Sequence, residues 1–534
     1  MQLSHRIALI ILPVLLLASS FVLSHHAGPQ WLWSNLDPDY WYLFDSLNMV
    51  NLQWPQHIAH PGTTTQWIGA IIIKTMHPFD ATEHINRLVL ANPEFYFLAI
   101  SRVLIFINAI ALGVVGVAGY LTFRDLTAAL LVQTGPFLSQ LIMKHSFHVS
   151  PEPLLITTML VLAAVTLVAL RPGQMDNHRT RYVIAFAVIA GFGMASKVSS
   201  AGMYLLPLFL LGNLRSIVLY GFYTVLFTVI FTLPAAGSYG EIFDWLGSIA
   251  IGSGYFGQGE QTIIDWSSYP GQLLKTTSRP VFFVVLLVSL GLLLATRKSD
   301  KCSPDTLPQA RLALAGLCLA LIVEALLVAK HPTGRYMIPA LTSAALGMAL
   351  IYHLSIGLTR AGSVTRNRVR IGFTIFLLVL AGAQVKTFMK LDRGFIERTS
   401  IAAGFDEAPF QSCARIYFWP ASNPLYALYM GSWNTDGSLA ETLDKLYMEK
   451  GVFFGTEDGK INRWTHTVSP DHLIQEYPCI MARGERALYI GEEAPFYDIS
   501  LPDEVFSARL KRDICHPGEE VIFTWGIDCK GKMF

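Results

Sequence analysis

Two aspartates lie close together after the first apolar segment of the chain. Asp37 and Asp39 are two residues apart in the run Asp-Pro-Asp-Tyr-Trp-Tyr. Paired carboxylates of this kind suit general-base catalysis or metal binding. An aspartate followed by a proline is also an ordinary start of a helix. The pattern by itself leaves both interpretations open.

A second set of candidate groups consists of charged residues inside or beside strongly apolar segments. The set comprises Arg102, Glu152, Lys197, Glu324, Lys330, His331 and Arg335. Ionisable groups are costly in a membrane unless they face water or a partner. Internal ion pairs such as Arg102 with Glu324, and lysines that reach toward the interface, would account for them. Alternatively, these residues line a polar cavity. Such a cavity could bind phosphate, because one guanidinium group can bind two phosphate oxygens at once.

The composition indicates the elements that must position these groups. The chain has 534 residues, of which 52% are hydrophobic and 14% are charged, whereas soluble domains carry about 25% charged residues. Helices are expected, because backbone groups inside a bilayer must be paired within the segment. The net charge of +1 gives no basic surplus for nucleic acid. We therefore predict an all-α polytopic membrane protein.

Eleven apolar segments are candidates for membrane-spanning helices, which need about 20 apolar residues each. They lie near residues 7–24, 95–121, 125–143, 152–170, 182–196, 199–214, 216–236, 281–296, 312–329, 336–358 and 371–388. The short pair at 182–196 and 199–214 can also be one helix followed by a re-entrant piece. With the N-terminus in the cytoplasm, every loop assigned to the cytoplasm is basic, which supports this topology.

The topology places three long segments outside the cytoplasm. These are a first loop at 25–94, a second loop at 237–280, and a C-terminal domain at 389–534 that follows a transmembrane domain at 1–388. Short β-prone runs and one helix near 439–450 indicate an α+β fold for the C-terminal domain. Its four cysteines allow two disulfides, with the pairing left open. They are Cys413, Cys479, Cys515 and Cys529.

The order of these features resembles the bacterial GT-C glycosyltransferases of the family 39 type, which include protein O-mannosyltransferases, aminoarabinose transferases and Rgt-like enzymes. The matching elements are Asp37 and Asp39, His60-Pro61-Gly62, Arg102, Ser150-Pro151-Glu152-Pro153-Leu154, the glycine-rich run from Ala190 to Lys197, and His331-Pro332-Thr333-Gly334-Arg335-Tyr336-Met337-Ile338-Pro339. The chain departs from the family where Asp-Pro-Asp replaces Asp-Glu and where Gly62 replaces a second proline. His60 stands where some relatives have lysine.

The resemblance implies an inverting transfer of a monosaccharide from a polyprenyl-phosphate donor to an extracytoplasmic glycan, lipid or protein. Asp39 or Asp37 would accept the acceptor proton. The phosphate-binding candidates are Arg335, Lys197, His60 and Arg102, and the positioning candidates are Tyr336, Glu152 and His331. No firm metal site is predicted, although Asp39, Glu152 and His60 could converge on a divalent ion. We expect a bacterial inner-membrane protein with its N-terminus in the cytoplasm and its C-terminal domain in the periplasm, in contact with membrane lipids.

Two other classes of function fit parts of the pattern. Many helices with buried charges also describe a transporter or a flippase for lipid-linked sugars, although such proteins tend to show repeated halves, and none is evident here. A glycan polymerase or ligase would be favoured by paired arginines in the second outer loop, which has only Lys275 and Arg279. The transferase interpretation requires the outward-facing cations and the loop carboxylates to share one water-accessible pocket.

Overall fold

The structure is a computed structural model that divides the chain into two compact units. It describes residues 3–32, 35–58, 61–253, 257, 259–296, 307–359, 363–403, 406–419, 421–448, 451–456, 460–485, 511–513, 520–528 and 532–533. The helical unit comprises Met1–Leu23, Ile58–Ile68 and Ser101–Leu391. The C-terminal unit comprises Ser24–His57, Gly69–Ile100 and Asp392–Phe534. The predicted boundary after residue 388 lies close to the last of these divisions, but the second unit also includes most of the first outer loop.

The described residues up to 403 are mostly helical. The α-helices there are α1 (Leu3–His26), α2 (Leu36–Val50), α3 (Thr63–Met76), α4 (Thr82–Ala91), α5 (Pro93–Phe123), α6 (Leu126–Gln133), α7 (Gln140–His145), α8 (Pro151–Ala169), α9 (Gln174–Ser196), α10 (Leu206–Leu211), α11 (Leu214–Thr232), α12 (Tyr239–Ile251), α13 (Tyr269–Thr277), α14 (Pro280–Thr296), α15 (Leu307–Lys330), α16 (Ile338–Gly357) and α17 (Val364–Ala403). Several begin with proline in the first turn, where its missing N–H costs no helical hydrogen bond.

Seven helical segments among the described residues are long and apolar enough to cross a membrane. They are Leu3–His26, Pro93–Phe123, Pro151–Ala169, Leu214–Ile251, Pro308–Lys330, Gly334–Gly357 and Val364–Ile401. The pair formed by α13 and α14 is bent by 86° and would make an eighth if it counts as one span. The chain is thus a multi-pass membrane protein, and the predicted fold class is confirmed. The total of eleven spans stays a prediction.

Two predicted spans are built from short pieces. The segment at 125–143 becomes α6, a 3₁₀ turn at Gly135–Phe137 and α7, because Pro136 cannot donate a backbone hydrogen bond. The segment at 199–214 becomes a 3₁₀ helix over Val198–Leu205 followed by α10. For the predicted pair at 182–196 and 199–214, the structure thus has one long helix, α9, followed by short helical pieces.

The core of the helical unit is centred on α16. Its side chains are buried on all sides, and it packs against α6, α8, α14 and α15. A helix that is apolar around its whole circumference is expected in such a central position. Because α16 begins at Ile338, two residues after Tyr336, the same packing fixes the start of the helix close to Arg335 and Tyr336.

The C-terminal unit contains a mixed seven-stranded sheet in the order β4-β3-β2-β1-β5-β7-β6. The strands are β1 (Ala414–Tyr417), β2 (Val452–Gly455), β3 (Ile461–Asn462), β4 (Thr467–Val468), β5 (Ile480–Glu485), β6 (Lys511–Asp513) and β7 (Glu520–Trp525). Strand β1 pairs in parallel with both β2 and β5, and the other pairs are antiparallel. Three further helices accompany the sheet: α18 (Pro424–Trp433), α19 (Ala440–Leu446) and α20 (Pro470–Glu476).

One of the predicted disulfides is present in this unit. Cys413 and Cys479 are bonded to each other and lie directly before the neighbouring parallel strands β1 and β5. The other two cysteines, Cys515 and Cys529, lie outside the described residues. The disulfide links two strands at the centre of the sheet. The chain between the two cysteines includes β2, β3 and β4.

Glycines in α9 allow close helix contacts, and this leads to a stability prediction. A β-carbon on Gly193 would overlap with the Tyr204 hydroxyl, which is itself hydrogen-bonded to Ser200 Oγ at 3.0 Å. We expect Gly193→Ala to destabilise the protein by about 1–3 kcal/mol through overpacking. Gly221→Ala in α11 is the matched control, since nothing lies within 4 Å of that position. Thermal unfolding in detergent measures both, and equal midpoints would contradict the prediction.

Candidate active site

A buried ion pair joins the start of α8 to the end of α9. Lys197 Nζ donates to Glu152 Oε1 at 2.6 Å, and the two side chains are 3% and 1% exposed. Glu152 lies in the first turn of α8, where the helix dipole favours a negative charge. Lys197 follows the last residue of α9 in an extended conformation, so its side chain leaves the helix and reaches the neighbouring helix start.

Arg335 and Tyr336 complete this charged cluster from the turn between α15 and α16. Arg335 Nε lies 4.0 Å from Glu152 Oε1. Lys197 Nζ lies 4.8 Å from the centroid of the Tyr336 ring, a distance at which a cation is attracted by the ring face. Two cations thus surround one carboxylate, so the cluster of Glu152, Lys197 and Arg335 carries a net charge of one positive unit. Such a cluster can accept an anion.

A histidine that does not stand out in the sequence lies next to this cluster. His145, at the end of α7, interacts electrostatically with Glu152 and Arg335. Burial lowers the pKa of His145, and the opposing effect of Glu152 is smaller. His145 is therefore uncharged at neutral pH and adds nothing to the net charge. The signal in the sequence was the run Lys144-His145, which precedes the Ser-Pro-Glu-Pro element by a few residues.

The first outer loop meets the end of α9 through its backbone. Pro61 and Lys197 form an antiparallel bridge, and Gly62 N donates to Ser196 O at 3.2 Å. Thr64 Oγ1 donates to Ser196 Oγ at 2.7 Å. Gly62 has a φ of +70°, which only glycine adopts without strain. Two of the predicted motifs are thus in contact, although His60 itself lies outside the described residues.

A cavity of about 710 Å³ opens beside Lys197. Its walls come from the 3₁₀ helix that follows Lys197, from α12, from α13 and from the C-terminal end of α15. Most of the lining is apolar, and it includes Val198, Trp245, Leu246, Ile249, Leu327 and Val328. The lining also includes the charged residues Lys197, Asp265 and Lys330, together with His331, Tyr269 and Tyr336. This combination suits an amphiphile with an anionic head group and a hydrocarbon tail.

Two further basic residues at the cavity, Lys330 and His331, are held at the end of α12. Lys330 Nζ donates to Ala250 O, and His331 Nε2 lies 3.1 Å from Ile249 O. Basic groups are favourable at helix C-termini, where backbone carbonyls lack helical partners. His331, a predicted positioning residue, therefore lies at the cavity and also holds one of its walls.

Asp265 is the acidic residue at this cavity. It accepts hydrogen bonds from Ser267 Oγ at 2.6 Å and Ser268 Oγ at 2.7 Å. These hydrogen bonds lower the pKa of Asp265, because they stabilise its charged form. The sequence analysis did not single out Asp265, since an isolated aspartate in an outer loop gives no signal of its own.

A further arginine lies near the turn that carries Arg335. A β-carbon on Gly334 would be 3.4 Å from Arg279 Nη2, so the Arg279 guanidinium lies against this turn. Arg279 comes between α13 and α14, at the bend of that pair. In the sequence, Arg279 stands out only as part of a pattern for polymerases, because it is far from Arg335 along the chain.

The remaining predicted residues are placed apart from this cluster. Arg102 is exposed on α5, and within the described part of the chain it forms no ion pair. The alternative ion pair between Arg102 and Glu324 is therefore not formed, because Glu324 is fully buried in α15 beside Gly202. Asp39 is fully buried on α2, in the C-terminal unit. The Asp37 side chain lies outside the described residues.

No metal site is found in the described residues. Among them, no group of three or more histidine, cysteine, aspartate and glutamate side chains is arranged to hold an ion. The suggested convergence of Asp39, Glu152 and His60 includes one residue outside the described set. The cluster around Glu152 consists of an acid with two cations, and such a group favours an anion over a metal ion.

Comparison with solved structures finds matches along almost the whole chain. A crystal structure of ArnT from Cupriavidus metallidurans bound to undecaprenyl phosphate is 12% identical, with a TM-score of 0.43. The apo structure of the same protein is 12% identical, with a TM-score of 0.45. Each match covers 96% of this chain and 97% of the other. No protein-family profile and no curated protein matches.

Both matches are distant ones. At 12% identity and TM-scores below one half, the likeness does not by itself establish a shared activity. The chemistry of this chain must therefore be argued from its own residues.

The buried ion pair of Lys197 and Glu152 leads to a stability prediction. Glu152→Gln removes the negative charge that lies 2.6 Å from the buried Lys197 ammonium, and removing one partner of a buried pair costs about 3–5 kcal/mol. We expect a clear fall in the thermal unfolding midpoint of the purified protein. Asp176→Asn is the control, since Asp176 is 72% exposed in its pair with Arg179, and such pairs contribute at most about 1 kcal/mol. A Glu152→Gln protein as stable as the control would contradict the prediction.

Proposed function

We propose that the protein is a membrane glycosyltransferase that moves a monosaccharide from a polyprenyl-phosphate donor to an acceptor outside the cytoplasm. The observation that carries the proposal is the apolar cavity of about 710 Å³ with Lys197 and Tyr336 in its lining. A polyprenyl phosphate needs a hydrocarbon surface for its tail and cations for its head. The cavity offers both within one helical unit.

The net positive charge of the cluster gives the phosphate its binding energy. Lys197 is already oriented by Glu152 at 2.6 Å and by the Tyr336 ring, so little side-chain freedom is lost when an anion binds. Arg335 is 17% exposed at its side chain, and its planar guanidinium suits the oxygens of a phosphate. We assign Lys197 and Arg335 to the donor phosphate.

The transfer step is proposed as a direct displacement at the anomeric carbon. The acceptor oxygen forms a bond to that carbon while the bond to the donor phosphate oxygen breaks, and the bonding electrons leave with the phosphate. The acceptor hydroxyl proton passes to a carboxylate, for which Asp39 or Asp37 is the candidate. Fixed cations that stabilise the leaving phosphate contribute a few kcal/mol each. Inversion at the anomeric carbon follows from a single displacement.

A flippase for lipid-linked sugars is the second candidate. The 86° bend between α13 and α14 favours it, because broken helices line the binding sites of many transporters. A flippase would use the same amphiphilic cavity but would leave the sugar attached to its lipid. Formation of a new glycosidic bond in proteoliposomes thus separates the two candidates.

Arg335 provides the first functional test. Arg335→Ala removes a charge-assisted contact worth about 1.5–3 kcal/mol, so we expect the affinity for undecaprenyl phosphate to fall roughly tenfold to a hundredfold. Calorimetric titration of the protein in nanodiscs measures this affinity. Arg181→Ala is the matched control, because Arg181 is an exposed arginine on α9. Equal affinities in both variants would remove Arg335 from the phosphate site.

Asp39 provides the second test. Asp39→Asn keeps the shape of the fully buried side chain but removes the base, and general-base catalysis contributes about 10²–10⁴-fold in rate. We expect sugar transfer to be lost while donor affinity is retained. The measurement is transfer from a polyprenyl-phosphate monosaccharide to envelope glycans in proteoliposomes, with Asp37→Asn in parallel. Full activity in both variants would discard the general-base assignment.

A further inference from the structure

One end of the helical unit carries several arginines next to a single aspartate. Asp125 begins α6, and its Oδ1 accepts hydrogen bonds from two backbone N–H groups in the first turn of that helix. Its Oδ2 accepts from the Tyr352 hydroxyl of α16 at 2.9 Å. From Ile338 to Tyr352, α16 rises about 21 Å at 1.5 Å per residue. Asp125 is therefore far from the cavity at the start of that helix.

Arg370 of α17 is the arginine in contact with this aspartate. Its Nη2 lies 3.6 Å from Asp125 Oδ2, and its side chain is 48% exposed. This distance is too long for a direct hydrogen bond, and Asp125 Oδ2 already accepts from Tyr352. The two groups therefore form a loose ion pair, and about half of the Arg370 side chain stays accessible to another anion.

Arg366 lies one turn before Arg370 and is half-buried. Residues four apart share one face of a helix, and Val369 and Phe373 on this face pack against the core of the helical unit. The Nε atom of Arg366 is buried and has no hydrogen-bond partner among the residues that the structure describes. Because a buried donor without an acceptor is costly, this atom indicates an acceptor from outside the described chain.

Arg124 adds a third positive charge directly before Asp125. It follows the end of α5 with a φ of +53°, and glycine is the usual residue in such a conformation after a helix. Its side chain is exposed. Three arginines and one aspartate give this group a net charge of two positive units, three less one. The group therefore attracts anions.

The position of the group along α17 indicates which anion it binds. The segment Val364–Ile401 is long and apolar enough to cross a membrane, and the exposed side chains of Ile371, Ile375 and Leu378 follow directly after Arg370. A phosphate bound to the arginines would therefore lie at the boundary between membrane and water, with hydrocarbon surface next to it. Anionic lipid head groups occupy this boundary, and basic pockets between membrane helices bind them.

We propose that Arg366, Arg370 and Arg124 form a binding site for the head-group phosphate of an anionic phospholipid. Guanidinium groups suit this ligand, because each can bind two phosphate oxygens at once. Asp125 orients Arg370 and leaves the group with a positive net charge. The site is independent of the proposed transferase function, since its residues lie near the opposite end of α16 from the cavity.

Native mass spectrometry of the full-length protein in detergent tests the site. The probe is phosphatidylglycerol, and phosphatidylcholine is the comparison lipid without net charge. We expect phosphatidylglycerol to bind more tightly than phosphatidylcholine. Arg366→Ala should weaken phosphatidylglycerol binding roughly tenfold, as the loss of one charge-assisted contact implies. Arg366→Lys should fall between the two, because lysine keeps the charge but does not bind two oxygens in a plane.

Arg368→Ala is the matched control for this measurement. Arg368 is an exposed arginine on the same helix, and it lies about 200° around the helix axis from Arg366. The change in total charge is the same in both alanine variants. We therefore expect phosphatidylglycerol to bind Arg368→Ala nearly as tightly as the wild type.

Asp125→Asn gives a change of the opposite sign. Asparagine caps a helix as well as aspartate does, so α6 is kept while the negative charge beside Arg370 is removed. We expect phosphatidylglycerol to bind this variant roughly fivefold more tightly, as one unit of charge near a lipid head group implies. The same mass-spectrometric titration measures it.

Equal losses in Arg366→Ala and Arg368→Ala overturn the site, because the lipid would then respond only to total charge. The lipid assignment is also overturned if inorganic phosphate displaces phosphatidylglycerol at equal concentration, since the ligand would then be a free phosphate. The thermal unfolding midpoint in phosphatidylcholine shows whether Arg366→Ala is folded. Should that variant unfold, Asp125→Asn decides, and an unchanged affinity for phosphatidylglycerol there overturns the site.

Discussion

The helical unit depends on the requirement that a lysine buried at the end of a helix must have a counterion. Lys197 is 3% exposed at its side chain, and Glu152 Oε1 lies 2.6 Å from its ammonium group. Burying both charges costs more than a surface pair would, so the geometry must be accurate to be tolerated at all. That accuracy is supplied by the start of α8, the end of α9 and the backbone bridge from Pro61.

The small residues around this pair serve the same requirement. Gly193 lets the Tyr204 hydroxyl approach α9, and Gly202 lets the 3₁₀ helix lie against Glu324. These contacts fix the turn that leads out of α9, and the wall of the cavity begins directly after Lys197. The path of the chain after α9 thus determines both the packing around Lys197 and the shape of the cavity. Larger side chains at these glycines would move the lysine as well as the helices.

The sequence predicted this cluster better than it predicted the cavity. Glu152, Lys197 and Arg335 could be chosen because charged residues in apolar segments are conspicuous, whereas Tyr336 came from the resemblance. The structure brings all four together. The lining from α12 and α13 could not be predicted, since apolar side chains in an outer loop resemble any other apolar run. Arg102 was conspicuous for the same reason as Lys197, yet it is exposed. Hydropathy alone does not tell which face of a helix carries a charge.

The number of membrane-spanning helices and the make-up of the C-terminal unit could not be predicted from hydropathy, for physical reasons. A run such as 125–143 is apolar enough to span, but Pro136 interrupts its hydrogen bonding and the helix is replaced by two short ones. No sequence pattern joins residues 24–57 to the C-terminal sheet, because that association depends on side-chain contacts such as Trp41 with Trp419. As a result, Asp39 belongs to the C-terminal unit and Lys197 to the helical unit. The proposed base and the proposed phosphate-binding residues thus belong to different units, and we expect substitutions at Asp39 to alter proton transfer without altering phosphate binding.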